Sequence, residues 1–195
     1  LGDVYKRQQY GKLQPAKSII GKKRTHRKTD VYSVDKLHEM IPLFNDIYEA
    51  AKVAGLDVET VISEYAPGQF ELTLKHQSNL LKSADDIIRL KRIVRAQSRS
   101  HGITACFMAK PMENVSGSGM HFHISMYDKK GINLFSENNK GKINPNLLNA
   151  IGGLSQTMGE SMLVFAPHAN SWRRLVLGSY APVRPNWGLD NRSVA

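Results

Sequence analysis

Apolar residues recur at three- and four-residue steps in three segments of the chain, and each segment predicts an amphipathic helix. Serine and asparagine accept hydrogen bonds from the free N–H groups of a first helical turn, and glycine often ends a helix. We therefore place the helix ends at such residues. The predicted helices run from Ser33 to Gly55, from Ser83 to Gly102, and from Asn144 to an interruption at Gly159.

Other segments are rich in β-formers or alternate between apolar and polar residues, which is typical of strands. Residues 66–68, Ala-Pro-Gly, predict a turn between two of them, and Asp128-Lys129-Lys130-Gly131 predicts a hairpin. The predicted strands cover 58–65, 69–76, 103–109, 120–126 and 132–135. Because helices and strands mix without strict alternation, we predict an α+β fold with a largely antiparallel sheet flanked by helices.

One predicted strand carries the most distinctive chemistry, in the sequence GSGMHFHIS at 117–125. Side chains alternate along a strand, so His121, His123 and Ser125 would share one face and the apolar residues the other, buried face. Two such imidazoles can serve one metal or anionic ligand, and the glycines let backbone N–H groups approach it. The same pattern also suits a half-buried strand whose histidines merely meet solvent.

The net charge of +10 is concentrated at one end of the chain. The first 30 residues hold nine Lys or Arg against two Asp, a net charge of +7. Such a segment can bind nucleic-acid phosphates, but its aromatic residues are limited to Tyr5 and Tyr10 near its start, and it has no recognition motif. We therefore expect residues 1–31 to be a basic, poorly ordered segment, partly foreign to the natural protein, and residues 32–195 to form the domain.

The class of protein is narrowed by two further features. No apolar run approaches the ~20 residues that a transmembrane helix needs. The single cysteine, Cys106, cannot form an internal disulfide. Together with the lack of a visible signal peptide, these features fit a cytoplasmic protein.

Five motifs in the chain resemble one enzyme family. Glu64 and Glu71 flank the Ala-Pro-Gly turn, and carboxylates with imidazole bind Mg²⁺ or Mn²⁺. The runs EYAPGQFE, HGITACFMAKP, SGSGMHFHIS, NSWRRL and NWGLDNRSVA, in this order, resemble the C-terminal catalytic domain of the glutamine synthetase family. The resemblance extends from about Tyr32 to the last residue, and it is closest to the branch that joins glutamate to polyamines or other amines.

The resemblance implies an ATP-dependent ligase that uses Mg²⁺ or Mn²⁺. In this family the γ-carboxylate of glutamate takes the terminal phosphoryl group of ATP, and ammonia or an amine then displaces it to give an amide. The partners implied are L-glutamate and ammonia or an amine, in a homo-oligomer. Membrane and nucleic-acid partners are not implied.

The family's functional positions fall on particular residues of this chain. Metal ligands fall at Glu64, Glu71 and His121; nucleotide contacts at His123 and Ser125; the glutamate-binding loop at Gly117, beside Ser116; an arginine for the glutamate carboxylate at Arg174; an arginine for the phosphates at Arg192; and the acceptor position at Tyr180. By this resemblance Arg174 and Arg192 are the catalytic arginines.

Departures from the family pattern shape the expected substrate. Ser116 stands where ammonia-using members commonly have asparagine, and Tyr180 where they have a glutamate that handles the ammonium proton. A phenol, with a pKa of ~10, is a poor base at neutral pH. We therefore favour an organic amine over ammonia as the acceptor.

Acidic ligands and an N-terminal domain that the family places outside this segment are missing, so we expect a catalytic domain truncated at both ends that is inactive alone. Three other hypotheses stay open. A metal-dependent hydrolase or oxygenase built on His-x-His would want a nearby glutamate, and the next acidic residue is Asp128, in a turn. A nucleic-acid-binding module and a catalytically silent family member are the other two.

Overall fold

The computed structural model describes residues 3–9, 12–20, 29, 31–137, 142–189 and 191. It divides into two compact units, Leu1–Met120 and His121–Ala195, which we call the N-terminal and C-terminal units. The elements are β1 (Asp3–Gln9), β2 (Lys12–Pro15), α1 (Val34–Glu39), α2 (Ile41–Val53), β3 (Val58–Ser63), β4 (Phe70–Leu74), α3 (Leu80–Ser100), β5 (Thr104–Cys106), α4 (Pro145–Phe165) and α5 (Ala169–Trp172).

The strands of the N-terminal unit form two small sheets, one with the order β2-β1-β5 and the other consisting of β3 and β4. All of these pairings are antiparallel. Helices α1 and α2 contact β3, while α3 contacts both α2 and β5. The predicted α+β fold with antiparallel pairing is therefore confirmed, with two sheets in place of one.

The core of the N-terminal unit lies between α2, α3 and the β3–β4 hairpin. Phe44 of α2 meets Phe70 of β4 edge to face, with ring centroids 5.0 Å apart. The alternation predicted for β4 is confirmed, since Phe70 and Leu72 are buried while Glu71 between them stays partly exposed. One face of the hairpin therefore packs against the helices, and the other face, with Glu71, stays partly exposed.

The first predicted helix is two helices in the structure. Ser33 caps α1 as predicted, with its hydroxyl 3.4 Å from the backbone nitrogen of Lys36. The helix then ends at Met40, and α2 restarts with Pro42 in its first turn. Proline has no N–H to donate and disfavours helical geometry at the residue before it, so a continuous helix through this point is broken.

Helix α3 begins earlier than the sequence predicted. Asn79, not Ser83, is its N-cap, and the Asn79 side chain accepts a hydrogen bond of 3.0 Å from the Lys82 N–H. Leu80 and Leu81 of the first turn are about 80% exposed, at 79% and 80%. This turn buries no apolar stripe, so periodicity could not reveal it. The end of α3 just before Gly102 is as predicted.

Part of the basic N-terminal segment is folded. Residues Asp3–Gln9 and Lys12–Pro15 are strands, and Val4 pairs with Ala105 of β5. We expected a poorly ordered arm, and for these residues the structure shows strand pairing instead. Composition alone did not reveal this, because the backbone hydrogen bonds of a strand do not depend on the charge of its side chains. Residues 21–28 lie outside the described residues.

The C-terminal unit contains the predicted hairpin and the third helix. The Asp128 side chain accepts hydrogen bonds from the Lys130 and Ile132 N–H groups at 2.8 and 2.9 Å, and Tyr127 bridges Asn133. Asn144 caps α4 as predicted. The interruption predicted at Gly159 is wrong, since α4 continues to Phe165. One glycine costs a helix about 1 kcal/mol relative to alanine, which does not end a helix of 21 residues.

No helix among the described residues combines the length and the apolar character that a bilayer crossing requires.

Asp86 of α3 supports a prediction about stability and pH. It is 3% exposed, and it accepts hydrogen bonds from Lys82 and Gln77 at 2.5 and 2.8 Å. The hydrogen bond from Lys82 lowers the pKa of Asp86 despite the opposing effect of burial. The stabilisation by the carboxylate is therefore present above the unfolded pKa of about 3.9 and is lost as pH falls through the lower folded value.

We expect Asp86→Asn to lower the melting temperature by several degrees at pH 7, with the difference from wild type shrinking below pH 4. Thermal unfolding followed by circular dichroism across pH 2–7 measures it. The control is Asp85→Asn, since Asp85 is the exposed neighbour. Equal melting curves for the two variants at pH 7 would contradict the role given to Asp86.

Candidate active site

The two predicted carboxylates lie on the β3–β4 hairpin, and its register determines their spacing. Ile62 pairs with Glu71 and Ser63 with Phe70. One step further, the Glu64 N–H donates to the Gln69 carbonyl at 2.9 Å. Glu64 and Glu71 are therefore diagonal neighbours, a position where residues lie roughly 7–8 Å apart and long side chains converge. Both residues are partly exposed.

The turn between the carboxylates is tightly closed. The Gln69 N–H donates to the Ala66 carbonyl at 3.0 Å, and the Ala66 N–H donates back to the Gln69 side chain at 2.9 Å. Gly68 has a φ of +75°, in the left-handed region that glycine adopts without strain. Ala66, Gly68 and Gln69 are all buried. The turn is thus a rigid support for the carboxylates on either side.

The loop predicted to hold glutamate lies in the same unit as the hairpin. The Ser118 N–H donates to the Ala109 carbonyl at 2.8 Å, and the Lys110 ammonium donates to the Val115 carbonyl at 2.5 Å. The Gln69 side chain donates to the Gly117 carbonyl at 3.1 Å. Ser116 and Gly117 are half-buried. The structure therefore brings the Gly117 loop against the hairpin that carries both carboxylates.

Gln69 is the residue at this site that the sequence reasoning did not select. It lies between the two candidate ligands in the sequence, directly before β4 and on the predicted polar face, yet it is 6% exposed. A glutamine on a predicted polar face carries no signal of burial in a single sequence. The signal available was its place directly after the Pro-Gly turn.

The histidine segment does not form the predicted strand. Residues 117–126 join no strand ladder in the part of the chain that the structure describes. The apolar face expected to be buried is open instead, with Phe122 63% and Ile124 68% exposed. A strand persists through hydrogen bonds to a neighbouring strand, and none of the described strands pairs with this segment. His121, His123 and Ser125 are exposed side chains of the C-terminal unit.

Arg174 is partly buried within the C-terminal unit. Its Nε is buried and has no hydrogen-bond partner among the described residues. Burial lowers the pKa of its guanidinium. The backbone is held by a turn in which the Arg174 N–H donates to Ser171 and the Arg174 carbonyl accepts from the Ser179 hydroxyl, at 3.1 and 2.7 Å. Arg192 lies outside the described residues.

Tyr180, predicted at the acceptor position, lies in a strained turn. Its φ is +55°, which is uncommon for a residue with a bulky side chain. It lines a shallow pocket of about 660 Å³ with mostly apolar neighbours, among them Leu177, Pro182 and Val183. Arg184 and Asn186 add polar groups to this pocket.

The fit to a divalent cation is partial in the described residues. Within them, no group of three or more His, Cys, Asp or Glu side chains could hold a metal ion. Glu64 and Glu71 form a diagonal pair of oxygen donors, which are the donors that Mg²⁺ and Mn²⁺ prefer. The hairpin therefore supplies two oxygen donors of the kind that these cations prefer, which is part of a full donor set.

The chain is similar to known proteins of one enzyme family. The family model for the glutamine synthetase catalytic domain matches residues 1–195. The chain therefore belongs to the glutamine synthetase catalytic-domain family. The family membership predicted from the motifs is confirmed, and the match includes the basic N-terminal segment.

The curated relatives include a γ-glutamylputrescine synthetase, a glutamate–isopropylamine ligase and glutamine synthetases by name. Gamma-glutamylputrescine synthetase PuuA of Escherichia coli K12 is 40% identical over 95% of this chain and 39% of its own length. The glutamate–isopropylamine ligase of a Pseudomonas species is 34% identical over 78% of the chain and 33% of its own length. Glutamine synthetase of Pyrococcus horikoshii is 37% identical over 84% and 35%.

A solved structure agrees with the fold. The GmaS/ADP complex superposes with a TM-score of 0.80 at 27% identity and covers 99% of this chain and 45% of its own. The chain spans between a third and two fifths of the length of the curated relatives named above. The activity of the whole protein is therefore a matter of proposal.

Proposed function

We propose that the protein carrying this chain is an ATP-dependent ligase that joins the γ-carboxylate of glutamate to a small amine or polyamine. The observation that carries the proposal is the β3–β4 hairpin, where Glu64 and Glu71 lie diagonally beside the Gly117 loop. The names of two relatives, a γ-glutamylputrescine synthetase and a glutamate–isopropylamine ligase, support the amine.

In this proposal Glu64 and Glu71 hold one divalent cation, Mg²⁺ or Mn²⁺, and His121 holds a second. A bound cation neutralises negative charge on the phosphoryl oxygens during transfer. The protein's part is to hold both carboxylates on one rigid hairpin. Because the backbone positions of the two carboxylates are already fixed, only side-chain freedom is lost on binding, which favours a defined cation position.

The remaining residues take roles around the two substrates. Gly117, with Ser116, offers backbone groups to glutamate, and Arg174 grips its carboxylate. The buried, unpartnered Nε of Arg174 supports this role, since a carboxylate would satisfy it in a bidentate pair. His123 and Ser125 contact the nucleotide and Arg192 the phosphates. The ADP complex of the structural relative supports nucleotide binding.

The proposed reaction has two steps. The γ-carboxylate oxygen of glutamate attacks the terminal phosphorus of ATP, and ADP leaves, giving γ-glutamyl phosphate. The amine nitrogen then attacks the acyl carbon, phosphate leaves, and the amine loses a proton. Arginine side chains near the phosphoryl group would stabilise its charge without supplying or removing a proton.

The amine preference rests on Tyr180 and its surroundings. A phenol does not accept an ammonium proton at neutral pH. The apolar lining of the neighbouring pocket suits the carbon chain of an organic amine, because burying methylene groups is favourable. Ammonia gains nothing from such a surface.

Two alternatives remain. A glutamine synthetase that uses ammonia is supported by the Pyrococcus relative, and a catalytically silent member of the family would keep the hairpin without turnover. Family membership weakens the hydrolase and nucleic-acid hypotheses, since neither explains the five motifs.

We further propose a cytoplasmic homo-oligomer. Helix α4 exposes Leu163 at 83% and Val164 at 76% within the C-terminal unit as described. Contiguous exposed apolar residues are typical of interfaces with another protein chain, which supports the homo-oligomer.

The single cysteine fits a reducing compartment, which supports the cytoplasm.

For the metal site, we expect Glu71→Gln in a full-length protein to weaken Mn²⁺ binding by roughly tenfold or more and to abolish phosphate release from ATP plus glutamate. Removing one of the two carboxylate charges weakens the electrostatic attraction that holds the cation. Electron paramagnetic resonance of free Mn²⁺ measures the affinity. Glu59→Gln is the control, since Glu59 is an exposed residue of β3; equal affinities in the two variants would remove Glu71 from the site.

For the acceptor, we expect the full-length protein to prefer putrescine, ethanolamine or methylamine over ammonia, and Tyr180→Glu to shift the preference towards ammonia by roughly tenfold or more. Mass spectrometry of the γ-glutamyl products measures it. Tyr127→Glu, at another exposed tyrosine of the same unit, is the control. An unchanged preference in Tyr180→Glu would mean that this position does not select the acceptor.

A further inference from the structure

Gln69 joins two parts of the site that are far apart in sequence. Its side-chain oxygen accepts from the Ala66 N–H at 2.9 Å, and its side-chain nitrogen donates to the Gly117 carbonyl at 3.1 Å, 48 residues away. The residue is 6% exposed. Both ends of a buried amide are therefore used, one on the turn between the carboxylates and one on the loop.

The hydrogen bond from Gln69 to Gly117 joins the loop to the hairpin, whereas two other hydrogen bonds lie within the loop. The Ala109–Ser118 and Lys110–Val115 hydrogen bonds close the loop on itself. These two bonds lie within the loop. The Gln69 amide joins the loop to the hairpin, and its other end is anchored in the closed turn. A shift of the loop would leave a buried donor unsatisfied, which is costly.

We propose that Gln69 is a positioning residue that holds the glutamate-binding loop in register with the Glu64–Glu71 hairpin. This inference rests on the proposed function, in which the loop binds glutamate and the hairpin binds the cation. Gln69 touches neither substrate nor metal in this role. It acts through the Gly117 carbonyl, and its loss loosens glutamate binding more than ATP binding.

Two substitutions separate the bonds of Gln69. Gln69→Glu keeps an oxygen that accepts from the Ala66 N–H but replaces the donor that faces Gly117 with a second acceptor. Gln69→Met keeps a similar volume and removes both bonds. The first readout is hydrogen exchange of the amides in residues 112–119 of the full chain. The second is the KM for glutamate, the KM for ATP and kcat in the full-length protein.

We expect both variants to speed exchange in the loop and to raise the KM for glutamate by roughly tenfold, the usual effect of losing one buried hydrogen bond. The KM for ATP should change less than twofold or so. Gln77→Glu is the matched control, because the Gln77 amide donates at 2.8 Å to Asp86, away from the loop. This control should lower stability without changing exchange in residues 112–119.

If hydrogen exchange in residues 112–119 is unchanged in Gln69→Glu, Gln69 does not hold the loop, whatever the activity of the variant. An unchanged KM for glutamate in an active Gln69 variant would overturn the positioning role. The role would also be overturned if the KM for glutamate and the KM for ATP rose equally, and by the same amounts as in Gln77→Glu. If the wild-type full-length protein shows no ATP-dependent γ-glutamyl transfer, the proposed function fails. In that case the hydrogen-exchange measurement still tests whether Gln69 holds the loop.

Discussion

The antiparallel register of β3 and β4 is the constraint on which the candidate site depends. The hydrogen bond between the Glu64 N–H and the Gln69 carbonyl extends the ladder to the turn and makes Glu64 and Glu71 diagonal neighbours. A slip of one residue would turn one carboxylate towards the core. The packing of Phe70 and Leu72 against the helices opposes such a slip, because it would expose them. The packing of the buried face therefore determines which side chains lie on the opposite face of the hairpin.

Features coded by neighbouring residues were predictable from the sequence. The caps at Ser33 and Asn144, the hairpin at Asp128 and the alternation in β4 each depend on contacts within a few residues. The family motifs also placed the candidate residues in order along the chain. Local chemistry and motif order thus gave the fold class and the position of the hairpin.

Features that depend on distant partners were not predictable. The strand predicted around His121 has no neighbouring strand in the described part of the chain, and a periodic pattern cannot supply one. The burial of Gln69 follows from a loop that returns 48 residues later. Each case turned on a contact, or on the lack of one, beyond the reach of a local pattern.

The central claim is that one divalent cation binds between the two carboxylates of this hairpin. Anomalous diffraction from crystals of the full-length protein with Mn²⁺ and ADP tests it most directly. We expect a manganese peak about 2.0–2.3 Å from a carboxylate oxygen of both Glu64 and Glu71. Manganese bound elsewhere, with the two carboxylates turned away from any cation, would contradict it.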